Sequence, residues 1–145
     1  MDGKPVCIAI VGIGMWCKAL ANVMQKSGVF RIVTCYTRTK GKREEFAAAF
    51  QCDQEDSYEN VLRREDVEAI LLTTPNSAHG EMTVKAAEHG KHVLVEKPIA
   101  NRISDARRMI EACQKNGVVL SVAHNQRRLA GYRKIKEMVE AGELG

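Results

Sequence analysis

The apolar run Val93-Leu94-Val95 stops abruptly in Glu96-Lys97-Pro98. An apolar strand ending in an acid, a base and a proline sets a charged pair at a strand's carboxyl end, where open α/β sheets place their ligands. A lysine held there by a stiff proline can give a proton or a hydrogen bond to a substrate oxygen while a hydride moves at the neighbouring carbon. Glu96 would orient Lys97 or a cofactor ribose. An ion-paired strand end at the surface is the plain alternative, and the tripeptide alone supports both.

A second strand-end signal adds weight. Val6-Cys7-Ile8-Ala9-Ile10-Val11 runs into Gly12-Ile13-Gly14-Met15-Trp16-Cys17. The first glycine of such a loop permits the tight turn and the second lets backbone approach a pyrophosphate. The helix that follows offers free N–H groups and a positive dipole end to that anion. The third position, usually Gly or Ala for close packing of helix on strand, is Cys17. Trp16 either lies over a bound ligand or is a partly buried aromatic at the helix start, and the second is expected. Gly12, Ile13, Gly14, Met15 and Trp16 are therefore candidate cofactor contacts.

Two further strand ends carry polar groups. Thr73-Thr74-Pro75-Asn76-Ser77-Ala78-His79 offers hydroxyls, a rigid proline and an amide that could line the nicotinamide side. Asn76 or Ser77 could equally cap the next helix, and His79 reads first as structural; Thr74, Pro75, Asn76 and His79 are kept as candidate contacts. Ala123-His124-Asn125-Gln126-Arg127-Arg128 closes another strand, where Asn125 and one of the two arginines, with Arg127 the candidate, could touch the carboxamide or the substrate. An ordinary strand-to-helix loop is the equal alternative.

The choice of dinucleotide turns on the second strand. NAD sites commonly put Asp or Glu at its end, to bond the ribose hydroxyls. This chain has Tyr36-Thr37-Arg38-Thr39-Lys40-Gly41-Lys42-Arg43, with no carboxylate before Glu44. Thr37 and Thr39 hydroxyls and the planar fork of Arg38 suit a 2′-phosphate. The expected cofactor is NADP, with NAD possible. The missing acid also argues against a fold of similar plan that binds S-adenosylmethionine.

These groups need a scaffold that brings strand ends together, and the pattern supplies one. Strands are expected at Val6–Val11, Arg31–Tyr36, Ala69–Thr73, His92–Val95 and Val118–Ala123, with a short edge strand at Gln51–Cys52. Helices are expected at Met15–Ser27, Gly41–Phe50, Tyr58–Arg63, Ser77–His89, Ser104–Asn116 and Ala130–Ala141. In the first helix Leu20, Val23 and Met24 fall on one face. Ser104 reads as an N-cap, while Gly90 and Gly117 end their helices. Strands alternating with helices give a parallel sheet. The expectation is an α/β fold: a doubly wound parallel sheet of the Rossmann type, with about six strands and helices on both faces.

Size and composition agree. The 145 residues suit one domain, and 45% hydrophobic with 28% charged residues is an ordinary globular balance. No apolar run approaches the roughly 20 residues that span a bilayer, and the N-terminus leads straight into a strand without a signal-peptide pattern. A cytoplasmic protein with no membrane partner is expected. Net charge is +4 without a basic stripe or recognisable module, which argues against nucleic acid. The five cysteines (Cys7, Cys17, Cys35, Cys52, Cys113) are scattered, with no C-x-x-C pair, so inert reduced thiols are expected and no metal site.

Taken together, Val11-Gly12-Ile13-Gly14, Thr74-Pro75-Asn76 with His79, Glu96-Lys97-Pro98, Arg127-Arg128 and the closing Gly142-Glu143-Leu144-Gly145 resemble the N-terminal half of the glucose-fructose oxidoreductase / inositol dehydrogenase / MocA family (Gfo/Idh/MocA). The resemblance covers essentially the whole chain. It implies a pyridine-nucleotide oxidoreductase acting on sugars, cyclitols and related alcohols or ketones, with Lys97 near nicotinamide and substrate and with Glu96 and Asn76 at the cofactor. Cys17 and Thr37 depart from the family pattern. Family members continue into a substrate domain that carries a catalytic histidine and mediates oligomerisation. Residues 1–145 are thus expected to be the NAD(P)-binding domain without that domain, binding cofactor with little turnover and open to self-association. A non-catalytic nucleotide-binding or redox-sensing module is the alternative.

Overall fold

The computed structural model describes residues 3–144. In chain order the elements are β1 (Val6–Val11), α1 (Met15–Ser27), β2 (Phe30–Tyr36), α2 (Lys40–Phe50), β3 (Asp53–Gln54), α3 (Tyr58–Arg63) and β4 (Ala69–Leu72). They continue with α4 (Asn76–Glu88), β5 (His92–Val95), α5 (Ile103–Lys115), β6 (Leu120–Val122), a 3-10 turn (Asn125–Arg128) and α6 (Ala130–Glu140). The six strands form one sheet in the order β3-β2-β1-β4-β5-β6, every pair parallel. The chain winds from β1 to one edge and then crosses back to β4. The order thus reverses between β1 and β4, which is where a doubly wound sheet opens its ligand crevice.

The strands are continuous apolar runs because both faces are covered. Successive side chains of a strand point to opposite faces. Ala9 and Val11 of β1, with Ile70 and Leu72 of β4, pack against Tyr58, Val61, Ala86 and Met109 of α3, α4 and α5. Ile8 and Ile10, with Leu71, pack against Cys17, Ala21, Met24, Phe46 and Phe50 of α1 and α2. Phe46 and Phe50 stack with centroids 4.3 Å apart.

Several local expectations need correction. In α1 the buried line is Cys17, Ala21 and Met24, with Leu20 packed beside it, while Val23 is 68% exposed. The inner line falls at i, i+4 and i+7, and Val23 sits one residue, about 100° of rotation, away from Met24 on that line. The edge strand is Asp53–Gln54 rather than Gln51–Cys52. Gln51 ends α2 in the left-handed region (φ 52°) and Cys52 N–H still bonds to Ala47, so extended backbone begins only afterwards. Helix α5 starts at Ile103 with Arg102 in the capping position, so Ser104 lies inside its first turn.

Arg64 fastens the short edge strand, its guanidinium reaching Asp53 (2.8 Å), Glu55 (3.0 Å) and Asp66 (2.8 Å). All five cysteines are free; Cys52 is half-buried and the others are buried. Burial pushes the Cys17 thiol up to about 11. The Cys35 thiol donates to Arg43 O (3.8 Å), and the neighbouring Cys52 thiol together with burial raises Cys35. No helix is long and apolar enough to cross a membrane among the described residues. Helix α6 buries none of its residues, and Tyr132, Ile135 and Val139 stand exposed along it.

The two faces of this packing make opposite predictions. Phe46→Ala should lower unfolding free energy by about 3–5 kcal/mol in urea titrations, whereas Val23→Ala should stay within about 0.5 kcal/mol. A large loss from Val23→Ala would contradict the assignment of the α1 face.

Candidate functional site

The carboxyl ends of β1, β2, β4, β5 and β6 all open on the same edge of the parallel sheet. Gly12 leaves β1 at φ +91°, and a Cβ built there would lie 2.7 Å from the carbonyl carbon of Thr73 and from Thr74 N. No side chain fits, because the obstacles are backbone atoms. The two exits are also laced together: Thr73 N–H donates to Val11 O (2.9 Å), the Thr73 hydroxyl donates to Gly12 O, and Gly12 N–H donates to Tyr36 O (2.8 Å). Gly14 holds the N-cap position of α1 with open space around it and no capping side chain. The first N–H groups of α1 therefore face outward and unsatisfied, as an anion requires. Ile13 turns its side chain into the core at 6% exposed, so only its backbone can serve a ligand. Met15 and Trp16 are 95% and 55% exposed; Trp16 is thus more open than expected. Cys17, fully buried, fills the packing position usually taken by a smaller residue.

Between the β1, β2 and β4 exits lies a cavity of about 420 Å³ whose wall includes Gly12, Thr37, Arg38, Thr74, Pro75 and Ser77. Tyr58 and Met82 form its floor, and the Tyr58 hydroxyl donates to Met82 O. At the rim Lys85 meets Glu59 (3.3 Å) and Glu81 (3.2 Å). Arg43 is folded back, donating to Thr37 O at 2.7 Å, and so shapes the loop rather than facing the cavity. Lys42 lines a second hollow with Ile13, Gly14, Met15 and Lys18. The buried hydroxyl of Thr74 has no hydrogen-bond partner among the described residues. A partnerless buried hydroxyl in a cavity wall, a glycine exit with no room for a Cβ and an uncapped helix start together fit a dinucleotide.

Pro75 is the N-cap of α4 and Asn76 its first residue, so neither Asn76 nor Ser77 caps the helix; both are exposed, and of the two Ser77 lines the cavity. His79 is fully buried, with Nδ1 3.0 Å from Pro98 O and Nε2 3.0 Å from Thr74 O. It is not among the residues walling the crevice or the Lys97 cavity, and its two contacts make it a brace between the β4 and β5 exits. Both partners are acceptors, and a neutral imidazole donates to only one at a time.

The β5 exit carries Glu96 and Lys97, and the Lys97–Pro98 bond is cis. Glu96 accepts from Lys97 N–H at 3.1 Å, while its own N–H donates to Leu72 O (2.9 Å) on β4. Lys97 is exposed, and its ammonium has no ion-pair partner among the described residues. It lines a cavity of about 240 Å³ with His124, Asn125, Gln126 and Arg127 from the β6 exit. Asn125 and Arg127 therefore do meet Lys97's surroundings, from a 3-10 turn rather than an open loop. Sequence reasoning missed Arg133, which joins Arg127 and Arg128 across the next cavity from α6; it lies beyond any strand end, and only the fold of α6 back onto the turn reveals it.

This arrangement defines a Rossmann domain of the dinucleotide-binding class, with a lysine at the β5 exit. Residues 6–124 match the model of an oxidoreductase family with an NAD-binding Rossmann fold, GFO_IDH_MocA. The chain is 37% identical to a 2,7-anhydro-N-acetylneuraminate hydratase of Mediterraneibacter gnavus, covering 98% of this chain and 37% of that protein. It is 33% identical to an inositol 2-dehydrogenase of Salmonella typhimurium, covering 94% and 42%. Its fold superposes on the WlbA dehydrogenase of Bordetella pertussis in complex with NADH and UDP-GlcNAcA (TM-score 0.93, 27% identity, 100% of this chain, 42% of that one). The chain belongs to the Gfo/Idh/MocA oxidoreductase family, as its NAD(P)-binding domain. It spans about two fifths of the length of these relatives.

Gly12 and Gly14, on either side of Ile13, should respond differently to a methyl group. Gly12→Ala meets backbone and a positive φ, and should cost about 2–4 kcal/mol in thermal or urea unfolding. Gly14→Ala should leave stability within about 0.5 kcal/mol yet weaken dinucleotide binding. Equal stability of the two variants would contradict the β1–β4 contact. His79→Leu should cost about 2 kcal/mol, since the fully buried ring's hydrogen bond to the Thr74 or Pro98 carbonyl is lost, and should speed amide exchange at Lys97. Unchanged exchange would remove the brace.

Proposed function

We propose that this domain binds NADP(H) in preference to NAD(H) and places Lys97 to handle the proton during hydride transfer to or from a sugar, a cyclitol or a related alcohol or ketone. The observation that carries the reading is the cavity shared by Lys97, Asn125 and Arg127, beside a crevice that fits a dinucleotide. The relatives' names, an inositol dehydrogenase and a dehydrogenase with a nucleotide-sugar acid, support a polyol or sugar substrate.

The bound dinucleotide would supply the hydride chemistry, accepting a hydride from the alcohol carbon or returning one to the carbonyl. Gly12 and the start of α1 seat the pyrophosphate, and Thr74 offers its free hydroxyl to the cofactor. Glu96 holds the β5 exit against β4. In the oxidising direction the Lys97 amine takes the hydroxyl proton as the C–H hydride leaves; in the reducing direction its ammonium returns that proton to the oxygen. For the 2′-phosphate, Arg38 and Thr37 line the crevice where an NAD site would carry an acid. The nearest cavity acids, Glu59 and Glu81, are already matched by Lys85.

Titration by Trp16 fluorescence should show NADPH binding at least about tenfold tighter than NADH, with most of that preference lost in Arg38→Ala, as one charge-assisted phosphate contact warrants. Tighter NADH binding would overturn the 2′-phosphate assignment. Lys97→Met should keep dinucleotide affinity while reducing hydride transfer about 10²–10⁴-fold; undiminished transfer would remove Lys97 from the chemistry.

A further inference from the structure

Beyond the Lys97 cavity lies a larger one, of about 580 Å³, walled by Val122, His124, Arg127, Arg128 and Arg133. Three guanidinium groups meet there with no carboxylate in the wall. None of the salt bridges among the described residues uses these three arginines. The acids closest in sequence are committed elsewhere, Glu137 to Lys134 (3.8 Å) and Glu140 to Lys136. By contrast Arg64 has three acids, and Arg108 has Asp105 (3.4 Å). Helix α6 also begins over this cavity with no capping side chain and no acid in its first turn, and Arg133 adds positive charge at that already positive end. Like charges gathered this way repel unless an oxyanion sits among them, and planar guanidinium forks suit a carboxylate.

The cofactor's own phosphates are poorly placed to be that oxyanion. Their seats are at the β1 and β2 exits, and β6 lies three strands from β1 in the sheet order, about 14 Å at the usual strand spacing. The substrate is better placed. The arginine cavity and the Lys97 cavity share His124 and Arg127 as a common wall. A charge held by the arginines would then sit next to the Lys97 cavity.

We infer that the substrate of this site is a sugar acid, its carboxylate held by Arg127, Arg128 and Arg133 while Lys97 faces the reacting hydroxyl or carbonyl. This rests on the reading that the Lys97 cavity receives the substrate. The test is an NMR titration of the dinucleotide-loaded protein with glucuronate, glucose and glucose 6-phosphate, following the arginine Nε–H resonances, with dinucleotide binding read from Trp16 fluorescence in the same samples. Glucuronate should bind at least tenfold tighter than glucose and shift the resonances of these arginines. Arg128→Gln with Arg133→Gln should erase that preference, and Arg128→Lys with Arg133→Lys should restore part of it. With dinucleotide bound, equal affinity for glucuronate and glucose, or binding of glucose 6-phosphate in place of glucuronate, would overturn the sugar-acid assignment alone. Absence of dinucleotide binding would overturn the proposed function and this inference with it.

Discussion

Everything in the site depends on the contact of Gly12 with the backbone of Thr73 and Thr74. It fixes the separation of the β1 and β4 exits, and the crevice of a doubly wound sheet opens between those two strands. A Cβ at position 12 would have to displace backbone rather than a flexible side chain, so packing leaves no other residue type. The Thr73 hydroxyl, bonded to Gly12 O, closes the same junction from the other side. With the exits locked, the start of α1 and the Thr37–Arg38 corner have a defined separation, and a ligand spanning them meets a preformed surface.

The second fixed relation is between β4 and β5. Glu96 N–H bonds to Leu72 O, and His79 bridges Thr74 O and Pro98 O from within the core. A buried ring thus ties the residue that offers a free hydroxyl to the turn that presents Lys97. Neither contact touches a ligand, yet both set where ligand-facing groups stand. Toward β6 the support thins: the strand is three residues long, and α6 buries none of its side chains. The edge that carries the arginines is the least packed part of the domain, and the β1–β4 junction the most constrained.

The fold was legible because its signals are local and repeated. Apolar β-branched runs alternating with amphipathic segments and glycine-terminated helices gave the strand order its ingredients, and the bounds of β1, α1, α3 and β5 follow from them. The misreadings share a cause: burial depends on what packs opposite, which a sequence window does not contain. Val23 is as apolar as a core residue and lies outside, whereas Cys17 and Ala21 face the strand because α1 lies close to it. In the site, Lys97, Asn125 and Arg127 were readable as strand-end residues, because a parallel sheet places all such ends on one edge. His79 could be read only in part, since its role needs the carbonyls of two separate loops. Arg133 and the nearness of Cys52 to Cys35 were not readable at all, because each depends on one element returning against another.

The most direct measurement of the central claim is a crystal structure of the protein grown with NADPH. The pyrophosphate should lie against Gly14 and the first N–H groups of α1, with the Thr74 hydroxyl turned to the cofactor, the nicotinamide reaching the Lys97 cavity and the Gly12–Thr73 contact unchanged. A dinucleotide bound elsewhere, or a nicotinamide directed away from Lys97, would contradict it.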